Sequence, residues 1–337
     1  MIKKLVVLFT LVLVVLLGVG FYAKSQVAEF LAQPVQVSSN QLFKVGAGKT
    51  LTSVVAQMEK NGWIKASPFP RLLPHLHPEL AHLKVGTYQV GPNTVLENVL
   101  KTMVAGTEFQ YSITFVEGSR FTEWRDLLNK AEGLEHKTQG MSEADIAKEL
   151  GIDHDKLEGL FLAETYNYTE GMTDLDILKR ANLSLQTELD KAWENKQANL
   201  PLKSPYEALI LASIIEKETG IENERNTISS VFINRLNKGI RLQTDPTVIY
   251  GMGDKYDGNI RKSDLNRKTA YNTYTIDGLP PTPIAMPGTK SINAAVNPEK
   301  TSYLFFVASG DGGHVFSKTL AEHNRAVRSY LHKLRSQ

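Results

Sequence analysis

The 337-residue sequence contains no cysteine. That excludes a disulfide framework, a thiolate metal site and a cysteine nucleophile, and leaves the core to hold the fold. Neither sign of charge dominates, with 38 lysines and arginines against 36 aspartates and glutamates. The basic footprint expected of a nucleic-acid-binding protein is therefore missing. Gly48-Lys49-Thr50 has the ending of a P-loop, but position 43 is Phe43 where that motif needs glycine. His75, His77 and His82 sit among prolines without the helical spacing of a zinc site. No Gly-x-Ser-x-Gly elbow marks a serine hydrolase. Nothing in the sequence calls for a metal or an organic cofactor.

Long apolar runs are also scarce, with one exception at the N-terminus. Met1-Ile2-Lys3-Lys4 precedes an uncharged stretch, Leu5 to Ala23, closed by Lys24. As a helix this run would span roughly 28 Å, enough for a hydrocarbon core about 30 Å thick. It is longer than a signal-peptide core, and Ala23-Lys24-Ser25 is a poor cleavage site. The expectation is a retained single-pass anchor (5–23) in the plasma or inner membrane. Lys3 and Lys4 would keep the tail (1–4) in the cytoplasm, with everything after Lys24 outside it.

Residues 24–40 read as a polar tether. A loose repeat of strand, Gly-containing turn and amphipathic helix then recurs three times. Its apolar positions are Leu51, Val54, Val55 and Met58, then Val95, Val99, Leu100 and Met103, then Phe121, Trp124, Leu127 and Leu128. The i, i+3, i+4 spacing is helical. These units are similar to LysM-like carbohydrate-binding modules. A small α+β packing domain without a ligand explains the same pattern. The fold class expected is α+β: the transmembrane helix, a small LysM-like module (41–115), then a larger mixed α/β catalytic domain (116–337).

The clearest helix begins at Ser204-Pro205-Tyr206-Glu207, with a capping serine, proline at the first helical position and glutamate three residues past the cap. It runs through Leu209–Ile215 to Thr219, with Gly220 as the expected stop. A second helix is expected over 223–238, with Val231, Phe232 and Leu236 inward and Gly239 ending it. Residues 240–290 are rich in Gly, Pro, Asn, Thr and Tyr, and so long a loop region is uncommon unless it builds a site. Two strands, around Tyr303–Val307 and His314–Phe316, and a helix from about Thr319 close the chain.

Glu216 and Glu218 end the capped helix about 200° apart. Glu218 shares the stripe of Leu211, Ile214 and Ile215, whereas Glu216 shares the face of Ala212 and Ser213. A carboxyl group among apolar side chains must be paired or neutral. Neutrality near pH 7 is what a general acid requires. Pairing of Glu218 with Arg225 or Arg235 is the structural alternative.

Leu211-Ala212-Ser213-Ile214-Ile215-Glu216-Lys217-Glu218-Thr219 resembles the signature of the endolytic murein transglycosylase (YceG-like) family. The resemblance continues through Val231–Leu236, Leu242–Gly251, Tyr271-Asn272-Thr273-Tyr274, Gly278-Leu279-Pro280-Pro281 and His314-Val315-Phe316. It implies cleavage of the β-1,4 bond between N-acetylmuramic acid and N-acetylglucosamine inside peptidoglycan glycan strands. The implied products carry 1,6-anhydromuramyl ends, strand length would be limited, and Glu218 would be the catalytic residue. No second carboxylate stands out, which suits a reaction in which the sugar's own 6-hydroxyl attacks. Asn234, Arg235, Gln243, Tyr271, Asn272 and Thr273 are candidates for lining the cleft, with turn-forming and loop-capping as their alternative role. Asp245, before Pro246, reads as a turn initiator. The partners implied are glycan strands, the membrane and peptidoglycan synthases. A lysozyme-like hydrolase and a non-catalytic peptidoglycan-binding scaffold are the competing functions.

Overall fold

The N-terminal apolar run forms part of a longer helix, α1 (Ile2–Ala32), in a computed structural model that describes residues 2–67 and 69–336. Met1, Pro68 and Gln337, which fall in the expected segments 1–4, 41–115 and 116–337, lie outside the described residues. Residues 2–22 of α1 are exposed, and the helix is long and apolar enough to cross a bilayer. It fits a single-pass membrane anchor. The expected tether is corrected in its first half. Residues 24–32 continue the helix, and Val27, Phe30, Leu31 and Val35 are buried in a hydrophobic core. Val27, Phe30 and Leu31 have helical spacing, which the polar composition of the segment masks.

The chain divides into two compact units, Met1–Tyr111 with Asn167–Met172, and Ser112–Tyr166 with Thr173–Gln337. In the first, β1 (Gln41–Val45) pairs antiparallel with β2 (Gly86–Val90), Gln41 opposite Val90 and Val45 opposite Gly86. Between them run α2 (Leu51–Lys60) and a short α3 (Leu73–Leu76). Leu51, Val54, Val55 and Met58 of α2 are all buried, as their spacing requires. After β2 comes α4 (Leu96–Ala105), which buries Leu96, Val99, Leu100 and Met103. Val95 is its N-terminal cap rather than a core position, because the helix starts one residue later than its apolar pattern.

The chain passes between the units within β3 (Tyr111–Thr114) and β4 (Thr165–Tyr168), which pair with each other. The third repeat therefore belongs to the second unit. Its helix, α5 (Phe121–Lys130), buries Phe121, Trp124 and Leu128 and leaves Leu127 exposed. This unit continues with α6 (Glu143–Leu150) and α7 (Asp174–Glu194), then α8 (Pro205–Glu218) and α9 (Arg225–Asn237). Two short helices, α10 (Asp245–Met252) and α11 (Lys262–Asn266), break up the expected loop region. The chain ends with α12 (Thr289–Val296), the antiparallel pair β5 (Phe305–Ala308) and β6 (His314–Ser317), and α13 (Leu320–Ser336).

Helix α8 is the centre of this unit, packed by α7, α9, α10 and α12. Every residue from Ala208 to Ile215 is buried. The single apolar stripe assumed from the sequence is thus corrected to a helix buried on all sides, which periodicity cannot distinguish at this length.

Candidate active site

The site forms where α8 stops. Ser204 starts the helix by accepting the Glu207 amide at 3.2 Å, while the Glu207 carboxylate accepts the Lys203 amide at 2.7 Å. The expected stop at Gly220 is not the one used. Thr219 turns extended at once, its hydroxyl accepting the Ile221 amide at 2.9 Å, so Glu218 is the last helical residue. Its carboxyl group therefore leaves the buried helix at its end, part-buried.

The facing wall is the segment 241–245, held in an unusual shape. Gln243 has φ +51°, a left-handed conformation that costs a side-chain-bearing residue roughly 1–2 kcal/mol. Neighbours hold it there. The Gln243 amide donates to the Thr273 carbonyl at 3.2 Å, and the Thr244 amide to the Thr273 hydroxyl at 3.0 Å. Arg235 donates to the carbonyls of Arg241 at 3.0 Å, Leu242 at 2.9 Å and Leu304 at 2.6 Å, and its guanidinium stacks over Phe305. One guanidinium thereby fixes both the 241–243 segment and the start of β5. The result directs the Thr244 hydroxyl onto Glu218, to which it donates a hydrogen bond.

Glu218, Thr244, Asp245 and Tyr274 share a cleft of about 350 Å³ with Arg235, Gln243 and the apolar side chains of Phe232, Phe305, Phe306 and Leu320. This falls in the range of small-ligand sites and has their mix of apolar walls and few polar groups. The Tyr274 hydroxyl donates to Asp245 at 2.7 Å. Burial pushes the Glu218 carboxyl up to about 7; the Thr244 hydrogen bond opposes this, the Asp245 charge adds to it, and His314 offsets part. Glu218 thus holds a proton near neutral pH on the wall of an open cleft.

A raised carboxyl alone does not identify an acid. Burial also pushes Glu158 up to about 7, against the opposing Phe121 amide. Glu158 is 6% exposed and does not line the cleft. Glu216 differs again: it accepts from Arg225 at 3.3 Å and from the Gly288 amide at 3.0 Å. The pairing weighed for Glu218 therefore falls elsewhere, with Arg225 on Glu216 and Arg235 on backbone carbonyls.

Of the expected cleft residues, Arg235 and Gln243 line the cleft, and the four others do not. Asn234 donates to the Thr301 and Tyr303 carbonyls at 3.1 and 3.0 Å. Asn272 is buried and donates to the carbonyls of Asp264, Leu265 and Arg267. Thr273 is buried beneath Thr244, and the Tyr271 hydroxyl meets Thr282 at 2.9 Å. Thr244, Asp245, Tyr274 and the Phe305–Phe306 wall were not anticipated. Asp245 does begin a turn, the first of α10, and its carboxylate still lines the cleft. The available signal was adjacency, since Thr244 and Asp245 follow Gln243 and Tyr274 follows Thr273.

Comparison with known proteins agrees with this architecture. The chain is 30% identical to an endolytic murein transglycosylase of Bacillus subtilis, over 93% of this chain and 90% of that protein. It is 24% identical to an endolytic murein transglycosylase of Streptococcus pneumoniae, over 98% of this chain and 66% of that longer protein. A crystal structure of a yceG-like protein from Listeria monocytogenes superposes with a TM-score of 0.53 at 28% identity, over 86% of this chain and 99% of the other. The profile of the YceG-like family matches residues 43–329, and the chain belongs to that family.

Proposed function

We propose that this protein is a peptidoglycan lytic transglycosylase that cuts inside glycan strands, with Glu218 as its general acid and base. The observation that carries the reading is a carboxyl group raised to about 7 on the wall of a cleft, hydrogen-bonded by a hydroxyl and in no ion pair among the described residues. Such a group protonates the oxygen of the β-1,4 bond between N-acetylmuramic acid and N-acetylglucosamine as C1–O breaks. The muramyl 6-hydroxyl then bonds to C1 and returns its proton to Glu218, leaving a 1,6-anhydro end without net addition of water. The related proteins named endolytic murein transglycosylase support the reaction class. Arg235 and Gln243 serve as wall residues, Thr273 supports that wall, and Asn234, Tyr271 and Asn272 hold the neighbouring loops.

The wider reading follows the anchor. Lys3 and Lys4 keep the N-terminus in the cytoplasm and the catalytic unit outside it. Strands are then cut near the membrane, beside the synthases that extend them, and strand length is limited. The first unit, with its antiparallel β1–β2 pair and intervening helices, serves as a LysM-like glycan-binding module.

One observation favours a second reading, a lysozyme-like hydrolase: Asp245 supplies a second carboxylate in the same cleft. Product ends decide between them. Purified glycan strands are digested with the full-length protein in detergent and with its Glu218→Gln variant, and the ends are weighed by mass spectrometry. Anhydro ends, lighter by one water than reducing ends, are expected. Turnover in Glu218→Gln should fall by about 10²–10⁴-fold. Reducing ends would make the enzyme a hydrolase, undiminished Glu218→Gln would remove the acid, and no cleavage would leave a binding scaffold.

A further inference from the structure

Asp245 asks for a role that a one-glutamate mechanism does not supply. It follows Thr244, the residue that donates to Glu218, and lines the same cleft. Tyr274 donates to Asp245 Oδ1 at 2.7 Å, and no donor among the described residues meets Oδ2. Burial and the Asp245 charge hold the Tyr274 proton tightly, so that this hydroxyl stays a donor. Arg235 forms no ion pair with this carboxylate, its guanidinium donating instead to the carbonyls of Arg241, Leu242 and Leu304. A carboxylate oriented on one oxygen and open on the other is a built acceptor for one N–H from a ligand.

Resting on the transglycosylase reading, we infer that Asp245, oriented by Tyr274, accepts the N–H of the muramyl 2-acetamido group and stabilises the cation formed when the acetamide oxygen closes on C1. In that step Glu218 gives its proton to the glycosidic oxygen, C1–O4 breaks, and the amide oxygen bonds to C1. The positive charge then lies on the amide N–C–O unit, where an adjacent carboxylate offsets it most strongly. The 6-hydroxyl next attacks C1, the bond from C1 to the amide oxygen breaks, and the hydroxyl proton passes to Glu218. No water is consumed. The second carboxylate is thus compatible with non-hydrolytic cutting: it faces the acetamide rather than a water.

The test uses the thiazoline analogue of N-acetylmuramic acid, in which sulfur replaces the amide oxygen and is already joined to C1. Its affinity is measured by calorimetry for the full-length protein in detergent and for Asp245→Asn, Asp245→Ala and Tyr274→Phe. Both Asp245 variants should bind it at least tenfold more weakly, and Tyr274→Phe a few-fold more weakly. An intact muramyl tetrasaccharide, measured in the Glu218→Gln background, should change less than threefold on adding Asp245→Asn. On strands, Asp245→Asn should lower kcat about a hundredfold with KM nearly unchanged. Equal thiazoline affinity in wild type and both Asp245 variants overturns the role, as does a wild type that does not bind the thiazoline. Reducing ends from the wild type would instead overturn the transglycosylase reading, a result that the calorimetry does not depend on.

Discussion

Two carboxyl groups leave the same end of α8, two residues apart, and meet opposite surroundings. Glu216 is 6% exposed and is met by Arg225, itself 8% exposed, and by the Gly288 amide. Arg225 is fixed in turn by the Ser291 hydroxyl at 3.2 Å. Glu218 meets one hydroxyl, the negative charge of Asp245 and an open cleft. Both have lost water, so burial alone does not distinguish them. The partner does. A guanidinium and an amide make Glu216 a buried ion-pair member that ties α8 to α9 and to the start of α12. Burial and a neighbouring carboxylate, outweighing the Thr244 hydroxyl, make Glu218 a proton store.

The largest effect that would break this comparison is on the Glu216 side. Glu216→Ala strands Arg225 in a buried place, and breaking a buried pair in this way costs about 3–5 kcal/mol. Glu117 lies close enough to feel both charges: burial and Glu216 hold its carboxyl up while Arg225 lowers it, so removing the Glu216 charge leaves Glu117 to offset part of the stranded Arg225 charge. A drop of about 3 kcal/mol in urea unfolding is expected. A loss under 1 kcal/mol would mean that Glu216 is no more structurally committed than Glu218.

How much of this contrast was legible beforehand depends on the range of each interaction. The start of α8 was written locally in Ser204 and Pro205, because capping involves neighbours in sequence. The core faces of α2 and α4 followed from periodicity, one position of α4 excepted. Glu218 could be singled out, but through an apolar stripe that does not exist on a helix buried all round. What separates it from Glu216 is Arg225 on one side and Thr244 and Asp245 on the other, brought together by tertiary packing that no local pattern records. Asn272 shows the same limit. Its amide fits a sugar as well as it fits a loop, and only the three carbonyls around it decide for the loop.

The next effect has the opposite sign and arises at Glu218. Its folded value, about 7, lies above the ordinary 4.5. Stability is therefore full below pH 4.5 and is lost as pH rises through 7, because the folded state holds the proton more tightly. At pH 8 the ionised group costs the fold on the order of 1–3 kcal/mol, reduced where solvent reaches the outer oxygen. Glu218→Gln, which carries no charge to bury, should melt higher than wild type at pH 8 and equally at pH 4. A variant that melts lower at pH 8 would show that Glu218 is held as a stabilised carboxylate.

The smallest effect tests the one hydrogen bond that Glu218 receives. The Thr244 hydroxyl donates to Glu218 and so favours its ionised form, opposing the effect of burial. Thr244→Val removes the donor at nearly constant volume and leaves the Thr244 amide on the Thr273 hydroxyl. The carboxyl should then hold its proton to higher pH. In the proposed mechanism cleavage needs protonated Glu218, so the alkaline limb of kcat/KM should move upward, by up to about one pH unit for a hydrogen bond worth about 1 kcal/mol. Thr244→Ser, which keeps the hydroxyl, should leave the limb in place. A downward shift in Thr244→Val would mean that Thr244 favours the neutral acid, and the contrast with Glu216 would then rest on Asp245 and burial alone.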